Sequence, residues 1–301
     1  VHQGYDRGTS TALLSASGAI GIIIPPSIAF VVYASCTDTS VGALFSAGII
    51  PGILVGISYL VAAMLATRKN EVVMLPKASA AERWAAFKEA FWALLMPVII
   101  LGGIYGGIFT PTEAAGVSVI YGLFVGVFIY KEIHAKELIR VFVDSAVSSA
   151  TIMFIIACAA VYAWIMTTSG VAADLSAAIL SISENKIMIL CIINIIFLIA
   201  GCFLDANSAF YILLPIITPV LASLGVNMVH AGVFLTVNMA IGLVTPPVGI
   251  NLYVGCKAGN VSVGEICRKI VPFLIAGIVS LVLITYIEPI SMLLPGLLGQ
   301  A

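Results

Sequence analysis

Residues 19–27 read AIGIIIPPS and residues 240–248 read AIGLVTPPV, two copies of one motif at a fixed offset of 221 residues. The match continues without a gap through IIPGILVGISYLV (49–61) and IVPFLIAGIVSLV (270–282), with 11 identities in 43 positions. Proline lacks an amide proton and clashes with the carbonyl one turn back, so each Pro-Pro pair predicts a break in a helix. The sequence therefore predicts two related units, each built around a broken helix.

The composition places these units in a membrane. Of the 301 residues, 61% are hydrophobic and only 9% are charged, whereas a typical soluble domain has about 25% charged residues. In water such a chain would expose large apolar surfaces, which excludes a soluble enzyme, a nucleic-acid binder and a disordered scaffold. Several apolar runs reach the roughly 20 residues that a helix needs to cross the bilayer. We therefore predict an all-α integral membrane protein whose surroundings are the lipid bilayer and which has no nucleic-acid partner.

The apolar runs predict seven crossings and one re-entrant hairpin. The hairpin covers 186–222, because FLDANS at its centre is too polar for a single span, and KEIHAKELIRVFVD (131–144) is predicted to be a helix on the membrane surface, with an ordinary loop as the alternative. The predicted crossings are 9–36, 41–67, 90–108, 112–130, 145–168, 229–255 and 264–287.

The basic residues orient this layout, because they accumulate on the cytoplasmic side of a membrane. Twelve of the 13 basic residues fall in segments that the layout places on one side, and only Lys186 falls opposite. Those segments are 1–8, 68–89, 131–144 and 256–269. We therefore predict that this chain starts in the cytoplasm and ends outside it, and that a front portion of the natural protein precedes residue 1.

The repeat and the crossings divide the chain into four predicted parts. Residues 1–67 hold the end of a first repeat, and 68–144 hold scaffold spans and the cytoplasmic surface helix. Residues 145–287 form the second repeat, with the hairpin, a broken helix and the last span, and 288–301 form a C-terminal tail. Whether the two copies run parallel or inverted in the membrane stays open.

The two breaks and the hairpin tip predict a binding site near the middle of the membrane. Backbone groups freed by a break cannot face lipid, where each unsatisfied group costs several kcal/mol. Freed carbonyls ligate hard cations, and the N-termini of half-helices attract anions. We therefore predict a site for a cation and a carboxylate, with a pair of simple helix kinks as the alternative.

Asp205 is the only acidic residue that the layout places inside the membrane, which makes a functional role its default interpretation. We predict that it acts at the cation site, with capping of the hairpin helix as the alternative. The other cation candidates act mostly through backbone carbonyls: Gly21, Ile24, Pro26, Gly242, Thr245 and Pro247. The candidate substrate contacts are polar side chains near the breaks and the tip: Ser15, Ser17, Ser27, Asn207, Ser208, Asn238 and Asn251. Hydrogen bonding from helix to helix is the alternative for four of them, Ser15, Ser17, Asn238 and Asn251.

Four motifs in order resemble the large membrane subunit of tripartite ATP-independent periplasmic (TRAP) transporters, and the resemblance covers essentially the whole chain. They are GYDRGTSTALLSASGAIGIIIPPSIAFVVY (4–33), SAGIIPGIL (46–54), GGIYGGIFTPTEAA (102–115) and MAIGLVTPPVGINLYV (239–254). The resemblance implies an elevator-type transporter in the bacterial inner membrane, with Na⁺ as the coupling cation and a periplasmic C-terminus. It also implies an organic acid as substrate, such as a C4-dicarboxylate, sialic acid or a related sugar or keto acid.

The resemblance further implies two protein partners, a small four-helix membrane subunit and a periplasmic substrate-binding protein. Members of the family have two hairpins, of which this sequence contains only the outward-opening one. An ion or solute channel and a sodium-coupled carboxylate symporter that needs no binding protein are the alternatives. Intramembrane proteases are disfavoured, because Asp205 has no second membrane carboxylate and the three histidines are isolated. No P-loop occurs, so the chain is not expected to hydrolyse ATP itself. We therefore predict a transporter and not an enzyme.

Overall fold

The computed structural model describes residues 4–68, 76–183 and 185–300, and every regular element in this part of the chain is helical. The predicted all-α fold is thereby confirmed. Residues 1–3 and 69–75, which belong to predicted cytoplasmic segments, lie outside the described residues. The helices are α1 (Arg7–Ile20), α2 (Ile28–Thr37), α3 (Val41–Thr67), α4 (Ala80–Tyr105), α5 (Pro111–Phe124, continued by a π-helical turn at Val125–Ile129), α6 (Ala135–Thr168), α7 (Val171–Ile182), α8 (Lys186–Phe203), α9 (Ala206–Ser223), α10 (Met228–Gly242), α11 (Ile250–Gly259), α12 (Val263–Lys269), α13 (Val271–Tyr286) and α14 (Pro289–Leu297).

The chain folds into two compact units. The first unit consists of residues 1–73 and 159–301, and the second of residues 74–158. In the second unit α4 packs on α5, and Ser79 and Thr110 begin these helices with capping boxes to the glutamates three residues later. A Ser or Thr cap with Glu at the third helical position satisfies two backbone amides that a helix start leaves free.

Six helices in the described part of the chain are long and apolar enough to cross a membrane, and a bent pair makes a seventh candidate. The pair is α12 and α13, bent by 49°, where one straight crossing was predicted at 264–287. Pro272 lies in the first turn of α13, a position where proline suits a new helix but cannot continue the preceding one. The bend therefore follows from this proline.

Three helices differ from the predicted layout. The segment 131–144, predicted as a separate surface helix, is instead largely the first part of α6, which continues unbroken to Thr168. No glycine or proline interrupts the sequence from Ala135 to Thr168, so nothing local stops the helix. The short helix α7 lies in a stretch to which no element was assigned, and α14 forms within the predicted tail 288–301.

The sequence repeat is also a repeat of structure. Adding the offset of 221 to α1 gives 228–241, where α10 spans Met228–Gly242, and adding it to α2 gives 249–258, where α11 spans Ile250–Gly259. The first residues before α1 and α10 are Asp6 and Asn227, equivalent positions whose side chains both cap their helix. Both Pro-Pro bonds are cis. The predicted breaks are therefore real interruptions, and both copies share one local design.

The two broken helices run antiparallel, so the repeat is inverted. Helix α1 packs against α11, and residue numbers rise along one helix as they fall along the other. The close approaches are Thr11 with Gly259, Ser15 with Gly255, and Gly18 with Asn251. At the end of this contact Lys269 pairs with Asp6 at 3.0 Å. The orientation that the sequence left open is resolved by these contacts.

The contact between α1 and α11 predicts that alanine at position 255 destabilises the protein and that a second substitution, at Ser15, restores the stability. A Cβ added there would collide with the Ser15 hydroxyl, while the Ser15 Cβ lies 3.4 Å away, an ordinary contact. We expect Gly255→Ala to lower stability by about 1–3 kcal/mol, as overpacking does, and Ser15→Ala in addition to restore most of it. Thermal unfolding of the single and double variants measures this. Equal loss in both would contradict the contact.

The pairing of Asp6 predicts a pH-dependent contribution to stability. Its pKa is lowered from 3.8 to about 2, first by the hydrogen bonds from the Thr9 hydroxyl and amide and then by Lys269. Because the folded pKa lies below the unfolded value, the contribution is present above about pH 4 and is lost as the pH falls toward 2. Asp6→Asn keeps a capping side chain but not the charge. We expect its thermal midpoint to lie below wild type at pH 6 and to converge with it near pH 2.

Helix α10 forms the core of the first unit. Every residue from His230 to Gly242 is buried, and α10 packs against α2, α3, α8 and α13. A helix that is apolar on all sides belongs in the interior of a bundle. The second break, which follows directly after Gly242, is therefore held by packed helices on several sides.

Candidate functional site

The hairpin turns within two residues. Helix α8 ends at Phe203, α9 begins at Ala206, and Asp205 is the N-cap of α9. One carboxylate oxygen of Asp205 accepts from the amides of Asn207 and Ser208 at 3.0 and 3.3 Å, and the other accepts from the Ser208 hydroxyl. A carboxylate at this position satisfies free amides and complements the positive end of the helix dipole. The capping role considered for Asp205 is thus present in the structure.

The tip of the hairpin lies against the second break. A Cβ added to Gly242 would lie 2.6 Å from the Cα of Gly201, so the two backbones meet at a distance that only glycine permits. The amide of Gly249 donates to the carbonyl of Cys202 at 3.0 Å. Each hairpin helix has 18 residues and is long and apolar enough to cross a membrane. The tip nevertheless meets the chain where α10 is interrupted, as a re-entrant hairpin does.

A cavity of about 290 Å³ lies between the hairpin tip and the first break. The tip contributes Asp205, Ala206 and Asn207, and Leu243 comes from the second break. The first break and the start of α2 contribute the remaining lining: Gly21, Ile22, Pro26, Ile28 and Ala29. Of the predicted site residues, the structure therefore brings four to one cavity: Gly21, Pro26, Asp205 and Asn207.

The first break leaves carbonyl oxygens without hydrogen-bond donors. Ser27 caps α2 by accepting from the Phe30 amide at 3.4 Å, and its hydroxyl donates to the Ile22 carbonyl. Across residues 4–68, 76–183 and 185–300, no donor pairs with three carbonyls of this break, those of Gly21, Ile24 and Pro26. Free carbonyls beside a cavity are ligands for a hard cation or for water.

The second break repeats this pattern in part. The carbonyls of Thr245 and Pro247, at positions equivalent to Ile24 and Pro26, likewise lack a donor among the described residues. The Gly242 carbonyl differs, because it accepts from the Thr245 amide at 2.9 Å. The Thr245 hydroxyl donates to the Ile241 carbonyl at 2.7 Å, which leaves its oxygen lone pairs for a ligand.

A second cavity, of about 270 Å³, lies between α1 and α11. Two predicted substrate contacts, Ser15 and Asn251, line it together with Gly18 and Gly255. The Ser15 hydroxyl donates to the Thr11 carbonyl in its own helix at 3.0 Å. Polar residues of both antiparallel helices therefore line this space, with Asn251 in the first turn of α11 and Ser15 between one and two turns before the first break.

The remaining predicted residues lie elsewhere. The side chain of Ile24 packs toward Gly52 of α3, and Ser17 is exposed outside both cavities. Asn238, predicted to contact substrate, is completely buried, and its amide donates to the carbonyl and side-chain oxygens of Asn194 at 2.8 and 2.9 Å. Asn238 therefore bonds helix to helix, the alternative considered for it.

The sequence analysis missed the polar chain to which Asn238 belongs. Asn194 donates to the Thr285 hydroxyl at 3.1 Å. His230 donates from Nε2 to the Thr285 carbonyl at 3.1 Å, and its Nδ1 lies 2.9 Å from the Ser291 hydroxyl. The sequence does indicate this pairing, because Asn194 is the one polar residue in the apolar run IMILCIINIIFLIA (187–200). A polar residue within a membrane helix costs free energy unless it is paired, so Asn194 requires a partner on another helix.

Within the described ranges no group of three or more His, Cys, Asp or Glu side chains lies close enough to hold an ion. A cation at the breaks would be held by carbonyl and hydroxyl oxygens with at most one carboxylate. Such a ligand set suits a weakly bound, hard monovalent ion better than a transition metal, which prefers nitrogen and sulfur ligands.

The chain is similar to large permease subunits throughout its length. The C4-dicarboxylate TRAP transporter large permease protein DctM of Pseudomonas aeruginosa is 39% identical over 301 residues, which cover 100% of this chain and 70% of that protein. The sialic acid TRAP transporter large permease protein SiaM of Vibrio cholerae is 36% identical over 293 residues, with 97% and 69% covered. The isethionate TRAP transporter permease protein DctMQ of Oleidesulfovibrio alaskensis is 38% identical over 301 residues, with 98% and 47% covered.

A family model agrees with these relatives and with the geometry. The model described as the DctM component of the tripartite ATP-independent periplasmic transporter matches residues 1–290, a range that includes both breaks and the hairpin. The inverted repeat, the paired helix breaks and the hairpin tip all lie inside the matched region. The chain therefore belongs to the DctM family, the large permease component of TRAP transporters.

Proposed function

We propose that this chain is the sodium-coupled transport subunit for an organic acid, with the cation and the substrate bound at the hairpin tip and the two helix breaks. One observation carries the proposal. The carbonyl oxygens of Gly21 and Pro26 lack donors among the described residues, and both residues line the same cavity as Asp205. Oxygen ligands of this kind suit a hard cation, and the carbonyls of Thr245 and Pro247 in the second break, which also lack donors among the described residues, provide a second set.

An organic acid as substrate is supported by the helix ends and by the relatives. Asp205 already neutralises the positive end of α9, so that end is a poor site for an anion. The start of α2 differs, because only the Ser27 side chain caps it while Ile28 and Ala29 line the cavity. We place the substrate carboxylate at the start of α2. Relatives named for C4-dicarboxylate, sialic acid and isethionate define the compounds to be tested.

The setting of the transporter is part of the proposal. The ion pair between Asp6 and Lys269 brings together the predicted cytoplasmic segments 1–8 and 256–269, which supports placing both on one side of the membrane. With the basic residues on the cytoplasmic side, we place the C-terminus in the periplasm and the chain in the bacterial inner membrane. A periplasmic binding protein delivers the substrate, and a small four-helix membrane subunit completes the complex. The division of the chain into two separately compact units suits an elevator mechanism, which moves one body against another.

Uptake into proteoliposomes tests the proposal. The assembled membrane complex is reconstituted, and radiolabelled dicarboxylate, sialic acid or isethionate is supplied on its periplasmic binding protein. We expect accumulation with an inward sodium gradient and at least about tenfold less with an equal potassium gradient. Accumulation without the binding protein would support the symporter alternative. Flux that only equilibrates the substrate and does not saturate would support a channel.

A further inference from the structure

Among the described residues, a few side-chain hydrogen bonds join α8, the first helix of the hairpin, to its neighbours. Helix α8 is otherwise apolar where it is buried, with Ile189, Leu190, Ile193 and Phe197 in the core. Apolar helices in lipid have little preference for one register over another, because their side chains pack equally well against lipid and against each other. A buried polar pair removes this freedom, since a shift would leave its groups unpaired in a medium without water.

Asn194 and Asn238 form that pair. Two hydrogen bonds from the side-chain amide of the buried Asn238 to the half-buried Asn194 join α10 to α8, and the bond from Asn194 to Thr285 adds α13. Near the start of α8 a further bond, from the Tyr286 hydroxyl to the Ile187 carbonyl at 3.0 Å, again connects α13. The side-chain oxygen of Asn238 is buried without a partner in the described part of the chain. Asn238 is therefore held through its amide protons, which only acceptors on α8 satisfy.

The same two helices meet again at the candidate site. Asn194 faces Asn238, and seven residues farther along α8 Gly201 faces Gly242. Because the residue numbers rise together, α8 and α10 run parallel, and Asn194 lies about two helical turns, roughly 10 Å, before the glycine contact near the tip. A shift of one turn moves a helix by about 5.4 Å. Such a shift would separate the glycines and withdraw Asp205 from the cavity.

We propose that Asn194 and Asn238 are positioning residues, which set the register of α8 on α10 and so place the hairpin tip at the second break. They contact neither ion nor substrate, and the inference rests on the proposed function only for its transport readout. When a fraction of molecules has the hairpin out of register, the apparent affinity falls by that fraction for every ligand of the tip. The half-saturating concentrations of sodium and of substrate therefore rise by the same factor, while the maximal rate is kept.

The test compares the single variant Asn238→Leu with the double variant Asn194→Leu/Asn238→Leu in the assembled transporter. The single variant leaves the side-chain oxygen of Asn194 without its donor and lowers thermal stability. The double variant removes both polar groups, and stability recovers, because replacing both partners of a buried hydrogen bond with apolar groups is close to neutral. Thr236→Val is the matched control, since the buried Thr236 hydroxyl bonds only within α10, to the Gly232 carbonyl.

We expect the double variant to keep half-saturating concentrations about tenfold above wild type for both sodium and substrate, with a maximal rate within about twofold. Hydrogen exchange in 186–223 should be faster than in wild type or Thr236→Val, and unchanged in α3. This readout does not need sodium coupling, so it stands even if wild-type uptake ignores sodium and the proposed function fails. A double variant with wild-type half-saturation and wild-type hairpin exchange would overturn the positioning role.

Discussion

Replacing Asp205 by alanine is expected to abolish sodium-driven uptake, with a loss of at least about 100-fold. The carboxylate accepts three hydrogen bonds at the start of α9, and Asp205 lines the cavity together with residues of the first break. Alanine removes the cap, which costs about 0.5–2 kcal/mol, and also removes the only carboxylate that lines the cavity among the residues that the structure describes. Both losses act on the hairpin tip. Initial rates of radiolabelled uptake in proteoliposomes measure the effect.

Asp205→Asn separates capping from cation binding. Asparagine caps a helix about as well as aspartate but carries no charge. We expect this variant to fold with a near-native thermal midpoint and to raise the half-saturating sodium concentration at least about tenfold, which corresponds to about 1.4 kcal/mol. A wild-type sodium dependence in Asp205→Asn would assign Asp205 to capping alone.

Gly242→Ala is the second change with a large expected effect. Its Cβ would lie 2.6 Å from the Cα of Gly201, and backbone on both sides cannot move aside as a flexible side chain does. The hairpin must separate from the second break, which also strains the bond from the Gly249 amide to the Cys202 carbonyl. We expect a loss of stability of about 1–3 kcal/mol and a loss of uptake of at least about 100-fold.

Gly264→Ala is the control for Gly242→Ala. Gly264 lies in α12, and a Cβ added there meets no atom within 4 Å. Alanine is the better helix former, by roughly 0.5–1 kcal/mol, so this variant should be at least as stable as wild type and transport normally. Near-normal uptake by Gly242→Ala would show that the close approach of hairpin and break is not required for transport.

The helix breaks and the hairpin could be predicted because their causes are local. Two consecutive prolines interrupt a helix wherever they stand, and a polar turn inside an apolar run cannot remain in lipid. The bend between α12 and α13 also has a local cause, the proline at position 272, but proline near the end of an apolar run predicts a bend only once the helix boundary is known. The inversion of the repeat depends on which helices touch, as Ser15 and Gly255 do.

The site was predictable to the extent that its residues belong to the breaks and the tip. One cavity is lined by four predicted residues, Gly21, Pro26, Asp205 and Asn207. They come together because the hairpin tip lies next to the first break. The environment of Asn238 was not predictable, because its partner Asn194 lies 44 residues earlier and sequence spacing does not show which helices are neighbours. A polar side chain near a break contacts a ligand or another helix according to the face it occupies, and only the packed structure gives that face.

The most direct test of sodium coupling follows both solutes at once. Proteoliposomes containing the assembled complex and its loaded binding protein are supplied with ²²Na⁺ and a ¹⁴C-labelled organic acid, for wild type and for Asp205→Asn. If the two solutes bind in a coupled way, wild type takes up sodium and acid in a fixed ratio that does not change with time. We also predict that at low sodium concentrations Asp205→Asn loses the sodium flux and the acid flux together. Acid uptake without accompanying ²²Na⁺, or sodium flux that continues when the acid is omitted, would contradict coupled binding at the hairpin tip and the breaks.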